Sequence, residues 1–185
     1  MAAAVTVLSV DVGKNNLALC CVEAGADTDG SADRIRRWAV LSTQPTCAAL
    51  VQTLRDAGVL DWLPTVSHVV IERQPGKNTP MVRLQCYLEM FFTMQGKPVT
   101  LADSRNKLSY AATTRFWTGG IPSNWTYYTR KKLAVQCTRA FLEATPQDPA
   151  VAQTFHRSRK QDDLADSLWQ GMAYARTLQV AQARQ

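Results

Sequence analysis

Histidine is almost absent from this chain: His68 and His156 are the only two, and the five cysteines, Cys20, Cys21, Cys47, Cys86 and Cys137, contain no C-x-x-C pair. Soft-metal sites need clusters of those ligands at fixed spacing, so a structural zinc site is not expected. Most of the cysteines fall inside apolar patterns and read as small core residues of a reducing compartment, not as nucleophiles. Long hydrophobic runs are missing as well. No stretch approaches the roughly 20 apolar residues of a membrane span. Strand pattern begins at Val5, with no charged and then apolar segment ahead of it. Neither a membrane anchor nor a cleaved leader is therefore expected, and the protein is predicted to be soluble and intracellular. There is no internal repeat and no low-complexity tract.

What is present is enough for one substantial core: 46% of the 185 residues are hydrophobic, and a single domain over 1–185 is expected, with the tail after about residue 178 a candidate for fraying. Twenty-one Lys and Arg against fifteen Asp and Glu leave a formal charge of +6. Such an excess suits a polyanionic partner, and it equally suits an ordinary solvated surface.

The chain is organised around its first strand, Val5 to Val12, a β-branched run that must turn at Gly13 and leaves Asp11 at its end. Leu17 to Glu23 is a second strand, residues 24–33 a loop rich in Gly, Asp and Ser, and Arg34 to Leu41 a third strand, which makes an antiparallel meander. Thr46 to Ala57 has helical spacing between Pro45 and Gly58. Val66 to Ile71 is a fourth strand that runs into Glu72, repeating the pattern of an apolar run followed by an acid, Gly and Lys. Met81 to Gln95 is the strongest helix, and it is apolar on two faces: one covers a sheet and the other suits a second subunit. Pro98 to Ala102 is a fifth strand, and residues 116–128 read as an aromatic loop. Helices are predicted over Arg130 to Glu143 and Gln161 to about Val180, joined by a polar connection from Pro146 to Lys160. The order βββαβαβαα is that of an α/β layered fold with a central mixed sheet.

Three acidic stations stand out: Asp11 and Glu72 at the carboxyl ends of two strands, and Asp163 with Asp166 one helical turn apart near the start of the last helix. Asp11 alone is accounted for as well by capping the turn that follows, and Asp162 and Asp163 by capping a helix. Capping does not account for Asp166 on the same side. Adjacent parallel strands would bring Asp11 and Glu72 together, and a helix packed on the sheet would set its acids opposite. An oxygen-only set without His or Cys selects hard ions, Mg²⁺ or Mn²⁺, and two of them per site would serve phosphodiester chemistry.

Ser-Val-Asp11-Val-Gly-Lys-Asn, Val-Val-Ile-Glu72-Arg-Gln-Pro and Lys-Gln-Asp162-Asp163-Leu-Ala-Asp166-Ser resemble the three acidic motifs of the RuvC-type Holliday-junction resolvases, most of all their poxvirus branch. The likeness runs in order from about residue 5 to residue 176. It implies an RNase H-like fold, with a mixed five-stranded sheet whose first three strands are antiparallel and helices on both faces. It also implies a homodimer, two Mg²⁺ or Mn²⁺ ions per site, and paired nicks across four-way or other branched DNA that leave 5′-phosphate and 3′-hydroxyl ends. By the same resemblance Asp11, Glu72, Asp163 and Asp166 match the catalytic, metal-holding acids, with Asp162 a supporting acid whose role is not separable from capping. The implied setting is the host cytoplasm, where viral DNA replicates and concatemers are resolved.

On that reading the DNA-binding candidates are Lys14, Arg73, Lys77, Arg105, Lys107, Arg130, Lys131, Lys132, Arg159 and Lys160. Phe116, Trp117, Tyr127 and Tyr128 either stack on bases opened at the junction centre or close a small satellite core. Three alternatives stand against this reading. A non-catalytic junction binder with a decayed site is opposed by the complete acidic set. One of the other two is another RNase H-like nuclease acting on RNA or non-junction branched DNA. The other is a sugar-kinase or chaperone-like ATPase, whose two-domain architecture this length does not accommodate, so no nucleotide cofactor is expected.

Overall fold

The computed structural model describes residues 4–26, 30–117 and 126–184. Positions 27–29 of the Gly- and Asp-rich loop and 118–125 of the aromatic stretch lie outside the described residues. Five strands, β1 (Val5–Asp11), β2 (Leu17–Ala24), β3 (Arg34–Leu41), β4 (His68–Glu72) and β5 (Val99–Ala102), form one sheet in the order β3-β2-β1-β4-β5. β1 is antiparallel to β2 and β2 to β3, whereas β1, β4 and β5 run parallel. This is the mixed five-stranded sheet expected from the sequence.

β1 reads as a near-continuous apolar run because both faces of the sheet are covered. Its side chains alternate. Val7 joins Cys20, Val22 and Val70 in the core on one face, and Leu8 and Val10 join Leu19 and Ile71 in the core on the other. The second core is closed by α1 (Cys47–Asp56), a 3-10 helix (Val59–Thr65) and α2 (Thr79–Met94), through Leu50, Leu54, Leu84, Leu88 and Phe92. The first is closed by α3 (Arg105–Ala111), α4 (Tyr127–Ala144), α5 (Pro149–Arg157) and above all α6 (Gln161–Gln182), which lays the fully buried Trp169 between Phe116 and Phe141.

The same alternation positions the acids. Asp11 shares its face with Val7 and Ser9, and Glu72 shares its face with Val70, so both emerge on the α6 side at neighbouring parallel strand ends. α6 crosses β1 closely at Gly171, where a Cβ would lie 2.9 Å from Val22 Cγ1 and 3.0 Å from Ser9 Cβ. No helix among the described residues is long and apolar enough to cross a membrane.

The structure departs from the expected order at the 3-10 helix Val59–Thr65 and at two further helices, and α4 begins at Tyr127, inside the stretch expected to be a loop. The connection expected to be merely polar between Pro146 and Lys160 contains α5, started by Asp148, whose side chain accepts from Ala150 N at 2.8 Å, and anchored by Val151 and Phe155. Phe155 stacks on Trp38 at 5.4 Å between ring centroids. The segment after β5 coils into α3, only 7 residues long and too short for periodicity to declare it. α6 continues to Gln182 with Gln179 buried, so the helix extends past residue 178.

Candidate active site

Asp11, Glu72 and Asp166 converge on one lysine. The Lys107 ammonium lies 3.4 Å from Asp11 Oδ1, 3.2 Å from Glu72 Oε1 and 2.9 Å from Asp166 Oδ2. All four side chains are largely withdrawn from water, Lys107 at 8% exposure and the acids at 13 to 16%. A buried ammonium is costly unless paired, and here three carboxylates outweigh the penalty and hold its charged form above the range of a free lysine.

The acids respond in different ways. Burial pushes the Asp11 carboxyl well up, against the pull of Lys107 and with Glu72 and Asp166 adding to the push. Asp166 is also raised, first by burial, which Lys107 only partly offsets. Glu72 goes down despite burial, because Lys107, Asp11 and the Gln74 amide, which donates to its Oε2 at 3.1 Å, all favour the charged form. Gln74 is itself held by its backbone N–H, which donates to Gln85 Oε1 at 2.7 Å. Together these shifts describe a crowded acidic centre in which three carboxyl groups share one cation.

A second ammonium sits one turn away. Lys131, from the first turns of α4, pairs with Asp162 and lies 3.2 Å from Asp163 Oδ1, while Lys160 approaches Asp163 Oδ2 at 3.8 Å. Burial disfavours the Lys131 charge, but its bonds to Asp162, Tyr127 and Asp163 raise it overall, and Asp162 is lowered in return in spite of its own burial. The Lys131 ammonium also lies 5.2 Å from the Tyr127 ring centroid. Lys160 occupies the N-cap of α6 without a side-chain cap bond, so the acids of its first turn face the lysines.

Five carboxylates thus face three ammonium groups. Among the described residues no three Asp, Glu, His or Cys side chains close on a single ion position, because Lys107 and Lys131 lie between the acids. The donor set still fits a hard divalent cation. It is all oxygen, acid outnumbers base, and Asp163 Oδ2 is buried without a hydrogen-bond partner. Asp11, Glu72, Asp163 and Asp166 are the residues that would hold such an ion.

A cleft of about 220 Å³ opens onto this centre, lined by Glu72, Lys107, Tyr127, Arg130, Lys131 and Asp166. Beside it, between α4 and the α5–α6 junction, a groove of about 590 Å³ carries Lys131, Lys132, Arg139 and Arg159. Lys14, Arg73, Lys77, Arg130, Lys132 and Arg159 are exposed. Arg105 is tied to Asp103 at 2.6 Å, and Lys107 and Lys131 are engaged by acids.

The four aromatic candidates separate. Phe116 is buried at 3%, edge-on to Phe141, and belongs to the core; Trp117 packs against that core, half-buried. Tyr127 and Tyr128 are 58% and 83% exposed, the first at the rim of the cleft. Sequence reasoning passed over Gln74 and Arg139. The adjacency of Gln74 to Glu72 was visible, whereas nothing in the sequence tied Arg139 to the α5–α6 junction.

A single mixed sheet covered by helices on both faces, with acids at the ends of its first and fourth strands and on a helix crossing them, is the layout of an RNase H-like fold, and solved structures agree on that fold. The yeast mitochondrial Holliday junction resolvase Ydc2 superposes with a TM-score of 0.66 at 14% identity, covering 96% of this chain and 82% of that one. Thermus thermophilus RuvC gives 0.62 at 17%, covering 94% and 97%. A fowlpox virus resolvase, in complex with its substrate Holliday junction DNA, gives 0.60 at 17%, covering 94% and 98%. The family model described as poxvirus A22 protein matches residues 5–179, and the chain belongs to that family. No curated protein sequence matches it.

Proposed function

We propose that this protein is a divalent-metal-dependent endonuclease that resolves four-way DNA junctions, acting as a homodimer that makes paired nicks. The observation that carries the reading is the convergence of Asp11 and Glu72, at parallel strand ends, and Asp166, on α6, around the buried Lys107 ammonium, in a chain of the poxvirus A22 family. Membership of that family and the likeness to three resolvase structures support junction DNA as the substrate.

In this reading Asp11, Glu72, Asp163 and Asp166 hold two Mg²⁺ or Mn²⁺ ions, which supply charge neutralisation for the attacked phosphate and activation of water. Lys107 keeps the acids together in the ion's absence and stands beside the phosphate when DNA is bound. Arg130 and Lys132 at the cleft, with Arg159 and Arg139 in the neighbouring groove, bind flanking phosphates. Tyr127 and Tyr128 offer the exposed rings for stacking. Hydrolysis leaves 5′-phosphate and 3′-hydroxyl ends, and the proposed setting is viral DNA replication in the host cytoplasm.

The test is a cleavage panel with Mg²⁺ on a synthetic four-way junction, matched duplex, a flap and an RNA–DNA hybrid. Preferential cutting of the junction supports the proposal. Preferential cutting of the hybrid would instead make the protein an RNase H-like nuclease of another specificity.

A further inference from the structure

Four residues beyond Asp166, and so on the same side of α6, Gln170 is buried at 3%. Its amide Nε2 donates to Ser9 Oγ at 3.1 Å and to the Val10 carbonyl at 3.1 Å, and lies 3.5 Å from the Val70 carbonyl. Two of these acceptors are carbonyls, which can only accept, so the orientation of the amide is fixed. Its Oε1 is buried with no partner, and all of its hydrogen bonding therefore goes to the strands. Those strands matter: Val10 immediately precedes Asp11 on β1, and Val70 lies two residues before Glu72 on β4. The next residue is Gly171, whose missing side chain lets α6 come within van der Waals reach of Ser9.

We infer that Gln170 is a positioning residue, a clamp that fixes the height and rotation of α6 over β1 and β4 so that Asp163 and Asp166 stay in register with Asp11 and Glu72. The inference rests on the reading of these acids as a metal centre. A single amide from the helix that bears two of the acids spans the two strands that bear the others. Loosening it lets the acids separate by a fraction of an ångström without removing any of them.

Gln179 supplies the control. It is another buried glutamine of α6, and it donates to the Ala24 and Gly25 carbonyls at 3.2 and 2.8 Å, at the opposite end of the sheet. Gln170→Met and Gln179→Met each keep side-chain length and remove the amide donations to the strands, and Gln179→Met also removes the bond that its Oε1 accepts from Arg176 Nη1 at 2.6 Å, so the control loses at least as much. The experiment measures Mn²⁺ binding by calorimetry together with thermal melting, and single-turnover junction cleavage with junction affinity. Gln170→Met is expected to bind Mn²⁺ about tenfold more weakly, the loss usual when a group that orients a metal ligand is removed. Its cleavage rate falls in parallel while its junction affinity is unchanged, and Gln179→Met melts at a similar temperature with wild-type Mn²⁺ affinity.

Wild-type Mn²⁺ affinity in Gln170→Met, or an equal loss in both variants, would overturn the clamp. If Gln170→Met does not fold, Ser9→Ala, which removes one acceptor, is expected to weaken Mn²⁺ binding in the same direction, and unchanged affinity there would overturn it too. Wild-type protein that binds no Mn²⁺ would overturn the metal-centre reading and the clamp with it.

Discussion

Lys107 is the residue on which the acid set depends before any ion arrives. Its ammonium lies within 3.4 Å of three carboxylates in a site largely closed to water, so removing it leaves buried like charges uncompensated. Breaking a buried pair in this way costs about 3–5 kcal/mol. Lys107→Met is therefore expected to melt well below wild type in a chelator at neutral pH, and added Mg²⁺ should recover more of the loss than it adds to wild type. A melting temperature equally low with and without the ion would contradict this. Asp11 and Asp166 are held above the ordinary aspartate value of 3.8, chiefly by burial. On acidification they take up protons before a free aspartate does, so Mn²⁺ affinity should be lost with a midpoint above 3.8. Without metal the same raised values mean that the folded state binds these protons more tightly than the unfolded chain. Their contribution to stability is then present at low pH and fades as pH rises through the folded values. A midpoint at or below 3.8 would contradict the placement of both groups.

At the scale of elements, α6 is the piece that turns a sheet into a site, and Gly171 sets how closely it lies. In Gly171→Ala the new methyl meets Val22 Cγ1 at 2.9 Å and Ser9 Cβ at 3.0 Å, and the second of these cannot swing aside. Overpacking costs about 1–3 kcal/mol, while Ala in place of Gly returns about 1 kcal/mol of helix propensity. A modest fall in melting temperature with a larger fall in cleavage is expected, and an Ala variant as active as wild type would count against the close approach. This helix was legible in the sequence because Leu164, Leu168, Met172 and Ala175 repeat along it, and the strands because their apolar runs end in acids and glycines. α5 was not read, although Asp148-Pro149 is a helix start and Val151 and Phe155 lie four apart, because polar residues dominate the segment. α3 leaves no local pattern, because Lys107 is buried through Asp11 and Glu72, 96 and 35 positions away in sequence, together with Asp166. Lys131 was expected at a phosphate and is found on Asp162 and Asp163 for the same reason, since long-range charge pairing leaves no local pattern. Phe116 likewise shows its role only once Phe141 and Trp169 are brought beside it.

At the scale of the whole molecule, α2 turns Leu84, Leu88, Phe91 and Phe92 inward and leaves Met90 and Met94 49% and 76% exposed. A two-fold pairing through this face would bury them and give two acid sites in one assembly. Met90→Glu or Met94→Glu is expected to shift a dimeric wild type to monomer by light scattering, with nicking retained and paired cutting lost; a wild type that is monomeric while still cutting in pairs would contradict the assembly. The proposed role of the acids at the ends of β1 and β4 and on α6 is to form the centre that cuts junction DNA. It is tested most directly by single-turnover cleavage of a four-way junction in Mg²⁺ by wild type and by Asp166→Asn, with junction binding measured by gel shift in a chelator. Asp166→Asn removes one negative charge beside a polyanion while keeping the size of the side chain, so binding should be retained or strengthened. Junction cutting by wild type, abolished by chelation, is expected, with a loss of about a hundredfold or more in Asp166→Asn and binding intact, since even the partner that orients a metal ligand is worth about 10- to 100-fold. Cleavage by Asp166→Asn at the wild-type rate, or none by wild type in Mg²⁺ or Mn²⁺, would contradict it.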